Sequence, residues 1–319
     1  MEPQALSSIV HTETEHPLLQ PEEQGVRSAH RVSDAKGTPQ YYKHAHAFQA
    51  TALGTGKIKP KTISQVANNM SDWFAAYPDD YRVTPINQGL ALLVNDSKGN
   101  AYYNTVFNVT AEDIRTLKKD FFQRHSFFIC NTQALTEQDA KDLGLTLYDQ
   151  EPEMCLDLTT FAPKKLPHES SIKEINTQED FEQWLSVFRE GFIPPKNSDL
   201  EADIRPLLAH GTHPQATQGP HFYLLYDQEV PAACGLMVLG ECTVGIYHVA
   251  THPDHRRKGL ATRLMTTMLT RAKEAGYQEA SLIAGSRASQ KLYENMGFNE
   301  TVKYTVYHSP KVYPVAFSA

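Results

Sequence analysis

Arg256, Arg257, Lys258 and Gly259 place three cations and a glycine between two segments of different periodicity. Ahead of them, residues 242–250 (CTVGIYHVA) are rich in β-branched and aromatic side chains and read as a strand. Pro253 ends that strand, since proline cannot donate to a ladder. Behind them, Leu260, Leu264, Met268 and Ala272, flanked by Ala261, Met265 and Leu269, recur at helical spacing until Gly276 stops the helix. The first turn of a helix carries N–H groups with no internal partner, here those of Leu260, Ala261 and Thr262, and the macrodipole makes that end positive. Gly259 lets the backbone approach an anion closely, and Ala261 keeps the next position small. These residues in this order suit a phosphate; the plainer alternative is a solvated basic turn before an amphipathic helix.

A second strand–helix unit follows. Residues 280–284 read as a short buried strand, and Ser286 is placed to cap the next helix with its hydroxyl. Ser289, Leu292, Tyr293 and Met296 line one face of that helix and Gly297 ends it. Upstream, residues 171–175 read as a strand, and Phe181, Trp184, Leu185 and Phe188 give residues 177–190 helical spacing, broken by Pro194 and Pro195. Residues 200–208 read as a further helical piece and 210–220 as a loop. Residues 221–226 and 232–239 form a hairpin around Asp227-Gln-Glu229, and residues 299–307 a last strand.

Arg256-x-x-Gly259-x-Ala261 resembles the Arg/Gln-x-x-Gly-x-Gly/Ala signature of the GNAT acetyltransferases, and Val249-Ala-Thr-His-Pro253 is similar to that family's fourth strand. Residues 286–298 resemble its Asn-x-x-Ala-x-x-Leu-Tyr-x-x-x-Gly-Phe segment, with Ser286 and Ser289 in place of the frequent Asn and Ala. The resemblance implies the GNAT acyl-CoA N-acyltransferase fold, a mixed α/β sheet. It implies acetyl-CoA as co-substrate, with its pantetheine arm along Val249, Ala250 and Thr251. Its pyrophosphate would lie on Arg256, Arg257, Lys258, Gly259, Leu260, Ala261 and Thr262, with Ser286 and Ser289 nearby. Tyr293 stands where many members keep a tyrosine that protonates the departing thiolate.

Acetyl transfer to an amine needs a proton taken from the acceptor, an oxyanion stabilised and a thiolate released. The Val249 N–H is the expected oxyanion donor. Where some members carry a fourth-strand glutamate this chain has Gly245, so the base falls to His248, whose ordinary pKa suits the task, with Glu241, Tyr247 or a water chain as alternatives. Phe188, Phe192, Ile193 and the loop beyond are candidates to contact the acceptor, a small-molecule or protein amine. A non-catalytic acyl-CoA sensor on the same fold is the competing reading, kept open by Gly245.

The chain has 319 residues, enough for about two domains. Residues 1–58 read as a polar, poorly ordered tail. The pair His44-x-His46 has no partner cysteine or carboxylate cluster, so no metal site is expected there. Residues 59–164 read as an α/β domain, with a helix over 63–74, strands at 89–94, 101–109, 127–130 and 153–158, and helices at 111–124 (capped by Thr110) and 136–143. That region resembles the degenerate first half of tandem GNAT proteins and lacks the basic glycine turn. A Lys/Pro/His linker near 165 separates it from the acetyltransferase domain, 165–319. The net charge of −7 argues against a nucleic-acid binder. Cys130, Cys155, Cys234 and Cys242 lack paired spacing and are expected as buried thiols in a reducing, cytoplasmic setting; no membrane span or signal peptide is expected.

Overall fold

The computed structural model describes residues 64–77, 81–94, 104–120, 127–163, 172–192 and 219–309. The expected tail with its histidine pair, the turn at 96–100, the linker at 164–170, the helix at 200–208, the Phe192 side chain and Ile193 lie outside them. Among the described residues the chain runs α1 (Gln65–Ala76), β1 (Tyr81–Ile86), β2 (Gly89–Val94), β3 (Thr105–Phe107), α2 (Ala111–Asp120), β4 (Phe127–Asn131), α3 (Glu137–Asp142) and β5 (Thr146–Asp157). It continues with β6 (Ile172–Glu174), α4 (Gln178–Phe192), β7 (Gly219–Asp227), β8 (Val230–Leu239), β9 (Val244–Thr251), α5 (Leu260–Glu274), β10 (Glu279–Ile283), α6 (Arg287–Asn295) and β11 (Asn299–Ser309).

All the described strands form one sheet, in the order β1-β2-β3-β4-β11-β5-β10-β9-β8-β7-β6. The two halves repeat a pattern. In each, antiparallel strands lead to a strand that a helix joins to a parallel neighbour: β3–α2–β4 and β9–α5–β10. A second helix and a final strand follow in each. Those final strands are exchanged. β5, from the first half, pairs antiparallel with β10 of the second, and β11 pairs antiparallel with β4 of the first. The two also pair with each other along most of their length.

Alternation along the strands divides the core between the two faces. On one face, α1 and α4 bury Trp73, Phe74, Phe181, Trp184 and Phe188 against Phe222, Leu236, Val238 and Ala250. Trp184 can be fully buried because its indole N–H donates to the Gly235 carbonyl at 3.1 Å. On the other, α5 and α6 cover β7 to β10 with Leu264, Met268, Leu269 and Tyr293, while Ile114 of α2 packs in a cluster with Val106, Phe127 and Ile129. Fully burying one such side chain is worth about 1.5–3 kcal/mol.

Several boundaries depart from expectation. β1 has no counterpart in the sequence reading: YRVTPI contains a proline, but it lies at the sheet edge, where a missing donor is tolerated. β5 begins at Thr146 rather than 153, because its polar first half is held by pairing with β11 instead of by apolar burial. Strand β3 spans Thr105–Phe107, and residues 101–103 of the expected strand lie outside the described residues. Cys242 is exposed, whereas Cys130, Cys155 and Cys234 are buried. It sits in the tight turn between β8 and β9, which has no interior.

Because β5 stands between β10 and β11, a fragment of residues 165–319 would leave β10 unpaired on one side. It is expected to lend β11 to a second copy or to aggregate. Light scattering on the purified fragment tests this; a folded monomer would show that β5 is dispensable.

Candidate active site

β9 and β10 are parallel, but only Val244 with Ala280 and Gly245 with Ser281 are paired. From Ile246 to Thr251, β9 finds ladder partners on β8 only, while Leu282 and Ile283 of β10 turn to β5. A slot therefore opens between the strands toward their C-terminal ends, with one edge of β9 free of strand partners among the described residues. An extended chain bearing amides can pair with such an edge.

A bulge shapes that edge. The β8–β9 register jumps between Cys234–Ala250 and Leu236–Tyr247, and His248 adopts φ 53°. Left-handed backbone at a non-glycine residue is strained and persists only when its surroundings enforce it. Here Phe188 and Trp184 hold the His248 ring in edge contacts at 5.2 and 6.3 Å. Phe188, expected beside the acceptor, is thus wholly buried as a support for the bulge. Burial pushes the His248 pKa down to about 3, so the ring is neutral near pH 7 and a weak proton acceptor.

Across the loop at 252–259, α5 begins without a side-chain cap. Gly259 is its N-cap at φ 74°, with nothing among the described residues within 4 Å of the place a Cβ would take. The first intrahelical bond to Gly259 comes from Arg263 N–H, leaving the N–H groups of Leu260, Ala261 and Thr262 as the helix's orphan donors. The three cations differ in their engagements. Arg256 donates to the carbonyls of Thr251 (3.2 Å) and Gly191 (3.1 Å), tying the end of β9 to α4. Lys258 and the His255 ring both meet the Asp227 carboxylate at 2.8 Å, and these partners hold Asp227 below the usual carboxylate range. Arg257, at φ 63°, is exposed.

Ser286 caps α6 as expected, in a reciprocal box: it accepts from Ser289 N–H at 3.1 Å while Ser289 Oγ accepts from Ser286 N–H at 3.0 Å. Tyr293 lies on α6 with its ring 5.9 Å from Phe298, and burial raises its pKa to about 12. Its phenol is therefore protonated near pH 7. Glu241 is exposed in the turn before β9, away from the bulge.

The sequence reading missed Asn69. This fully buried side chain on α1 donates to the carbonyls of Val238 (3.1 Å) and Thr243 (2.9 Å) and accepts from Tyr247 Oη at 2.9 Å. A Cβ on Gly245 would fall 2.1 Å from Asn69 Oδ1 and 2.4 Å from the Tyr247 ring. The position where a fourth-strand carboxylate was sought is thus filled by a residue of the first half. Its only sequence signal is one polar side chain at a core position of an amphipathic helix.

The turn in the first half that corresponds to 256–259 is closed. Thr110 and Asp113 cap α2 reciprocally, with Asp113 N–H donating to Thr110 Oγ1 at 3.2 Å and Thr110 N–H to Asp113 Oδ2 at 2.8 Å. Asn131 fills the space beyond β3 by pairing its amide with both backbone groups of Val109.

This fold has solved counterparts. A GCN5-related N-acetyltransferase from Kribbella flavida superposes with a TM-score of 0.56 at 14% identity, over 78% of this chain and 97% of that one. A functionally unknown protein from Staphylococcus epidermidis gives the same TM-score and identity over 73% and 94%. Residues 179–298 match the family model described as "Acetyltransferase (GNAT) family". Curated relatives include N-acetyltransferase 8 of Homo sapiens, 35% identical over 65 residues, which are 20% of this chain and 29% of that protein. The uncharacterized N-acetyltransferase YsnE of Bacillus subtilis is 31% identical over 100 residues, 29% of this chain and 66% of that protein. The chain thus spans less than two thirds of the length of either. The sheet is that of the GNAT fold, and the match to the GNAT acetyltransferase family lies within the C-terminal half of the chain.

Two outcomes test the site's physical basis. Gly245→Ala is expected to cost about 1–3 kcal/mol by overpacking against Asn69, read as a shift in urea midpoint at constant slope. His248 is neutral when folded and titrates near 6.5 when unfolded, so it lowers stability as pH falls below 6.5. Burial raises Glu151 and Glu153, which act in the opposite sense. The readout is therefore a difference: between pH 6.5 and 4, His248→Asn is expected to lose about 3 kcal/mol less than the unaltered chain.

Proposed function

We propose that the chain is an acetyl-CoA-dependent N-acetyltransferase whose reacting centre lies in the slot between β9 and β10. The single observation that carries this reading is the pairing of that slot with an uncapped helix N-terminus at Gly259. One offers an open strand edge to the amides of a pantetheine arm. The other offers orphan N–H groups and the positive helix end to a pyrophosphate. The residues fit the co-substrate: a Cβ-free N-cap with open space around it, a helix start without a competing side chain, and Arg257 exposed beside it.

In this reading Val249, Ala250 and Thr251 supply the strand edge. Gly259, Leu260, Ala261 and Thr262 hold the pyrophosphate, and Arg257 adds charge. Arg256 and Lys258 contribute chiefly by fixing the loop, since each already has protein partners. Ser286 and Ser289 shape the start of α6 beside the slot. The Val249 N–H, at the bulge, stabilises the oxyanion. Tyr293, protonated near pH 7, gives its proton to the departing thiolate. His248 acts as the strut of the bulge; its neutral buried ring suits that task better than the role of base.

The acceptor is an amine of a small molecule or a protein. The first half would be a degenerate GNAT-like domain that does not take acyl-CoA: its capped α2 start places Glu112 and Asp113 where a phosphate would need positive potential. The sensor reading differs in one respect, namely binding without turnover.

Tyr293→Phe is expected to lower thiol release from acetyl-CoA with an amine panel by roughly 10²-fold while leaving acetyl-CoA affinity unchanged by calorimetry. Binding with no turnover in the unaltered chain would favour the sensor. Gly259→Glu is expected to abolish acetyl-CoA binding, because it adds a carboxylate at the helix start and strains a left-handed position. Unaltered affinity would remove the proposed phosphate site.

A further inference from the structure

With Gly245 in place of a carboxylate and His248 neutral, the acceptor's proton needs another destination. The exchanged strand β5 carries one. The pairing of Ile283 with Glu153 extends, two residues on, to Gly285 beside Glu151, and Glu151 Oε1 lies 3.8 Å from the place a Cβ on Gly285 would take. On the other side of β10, the pairing of Gly245 with Ser281, carried past the one extra residue of the β9 bulge, sets Gly285 level with Ala250, which faces the same core as Tyr304. Ala250, just past the bulge, Gly285 and Glu151 therefore stand in one row across the sheet, with the slot between the first two. Glu151 is also opposite Tyr304 on β11, and directly opposed residues share a face. Tyr304 belongs to the α1/α4 core, as do Trp184 and Phe188, which support His248.

We propose that Glu151, from the first half of the chain, is the general base for the amine acceptor of the second. This rests on the acetyltransferase reading above. The carboxylate takes one proton from the acceptor ammonium and passes it to solvent. The freed nitrogen lone pair forms the C–N bond at the thioester carbonyl. As the C–S bond breaks, its electron pair leaves on sulfur, which takes the Tyr293 proton. The second proton shed by nitrogen restores Tyr293 through water. No oxidant or further reactant is required.

The surroundings of Glu151 favour the task. Burial, and then the nearby Asp149, raise its pKa to about 7, where a base is half free and still strong enough to accept a proton. The titratable groups around it are Asp149, Tyr148 and the buried Glu153 on its own strand, Cys130 from β4, and Tyr304 from β11, whose hydroxyl donates to Glu153. Burial raises Cys130, Tyr148 and Tyr304, so all three are uncharged near pH 7, and no cation among these groups offsets the carboxylate.

The test uses the full chain with acetyl-CoA and a panel of primary amines, followed as thiol release across pH 5.5 to 10, alongside calorimetry with acetyl-CoA. Glu151→Gln is expected to bind acetyl-CoA as the unaltered chain does and to lose about 10²-fold or more in kcat/KM at pH 7. Its rate should climb with pH toward that of the unaltered chain as free amine becomes abundant. Glu151→Asp should recover part of the rate, with its pH midpoint displaced. A Glu151→Gln variant with unaltered rate and profile overturns the assignment and leaves the acetyltransferase reading standing. A uniform loss at every pH also overturns it, since that marks a structural role. If the unaltered chain binds acetyl-CoA but acetylates no amine, both readings fall.

Discussion

Two parallel strands that part after two residue pairs are the constraint on which the site depends. Separating β9 from β10 forfeits ladder hydrogen bonds, and buried backbone groups left unpaired are costly. The structure limits that loss to one side. β10 is satisfied by β5, which runs alongside it from Glu279 to Ile283 and accepts the Ala284 N–H at Pro152. Among the described residues, only the β9 edge of this slot is left open. Three further features keep it so: the His248 bulge against two aromatic rings, the Asn69–Tyr247 hydrogen bond at the closed end, and Arg256 fastening the far end to Gly191.

Each half of the chain builds the same crossover, yet the two helix starts have opposite character. The start of α2 is filled by its own carboxylate, and a side-chain cap of this kind is worth about 1 kcal/mol to the helix. The start of α5 keeps a glycine instead, which gives up only about a few tenths of a kcal/mol relative to such a cap. A helix start that satisfies its own N–H groups is stable and closed to a ligand; one left unsatisfied is less stable and open to an anion. The same contrast appears beyond the strands, where Asn131 seals the gap next to Val109 and no equivalent amide bridges the gap beside Val249 among the described residues.

The sequence made the second half legible because its signals are local. The helix beginning at Leu260, the hairpin at Asp227-Gln-Glu229 and the Ser286 cap each follow from neighbours within four residues. Long-range placement was not legible. Nothing near Gly245 shows that Asn69, 176 positions earlier, occupies its space. Residues 146–152 (TLYDQEP) lack any strand alternation, because exchange with β11 fixes them, and so a carboxylate at 151 passes as a loop residue. The cations of the turn were read by type alone. Their engagement with Asp227 and with two carbonyls depends on a hairpin tip and a helix end brought there by the fold.

The interleaving of β5 and β11 bears on how the chain can be made. A ribosome releases residues in order, and domains commonly fold as they emerge. Here β4 gains its outer partner only when the segment ending at Ser309 has left the tunnel, although β4 itself was complete some 180 residues earlier. Until then the early half carries a bare, apolar strand edge at Phe127–Asn131, the kind of surface that pairs with strangers. A nascent chain of this protein therefore holds that edge unpaired until β11 follows, and pairing with another strand in that interval would compete with the native exchange.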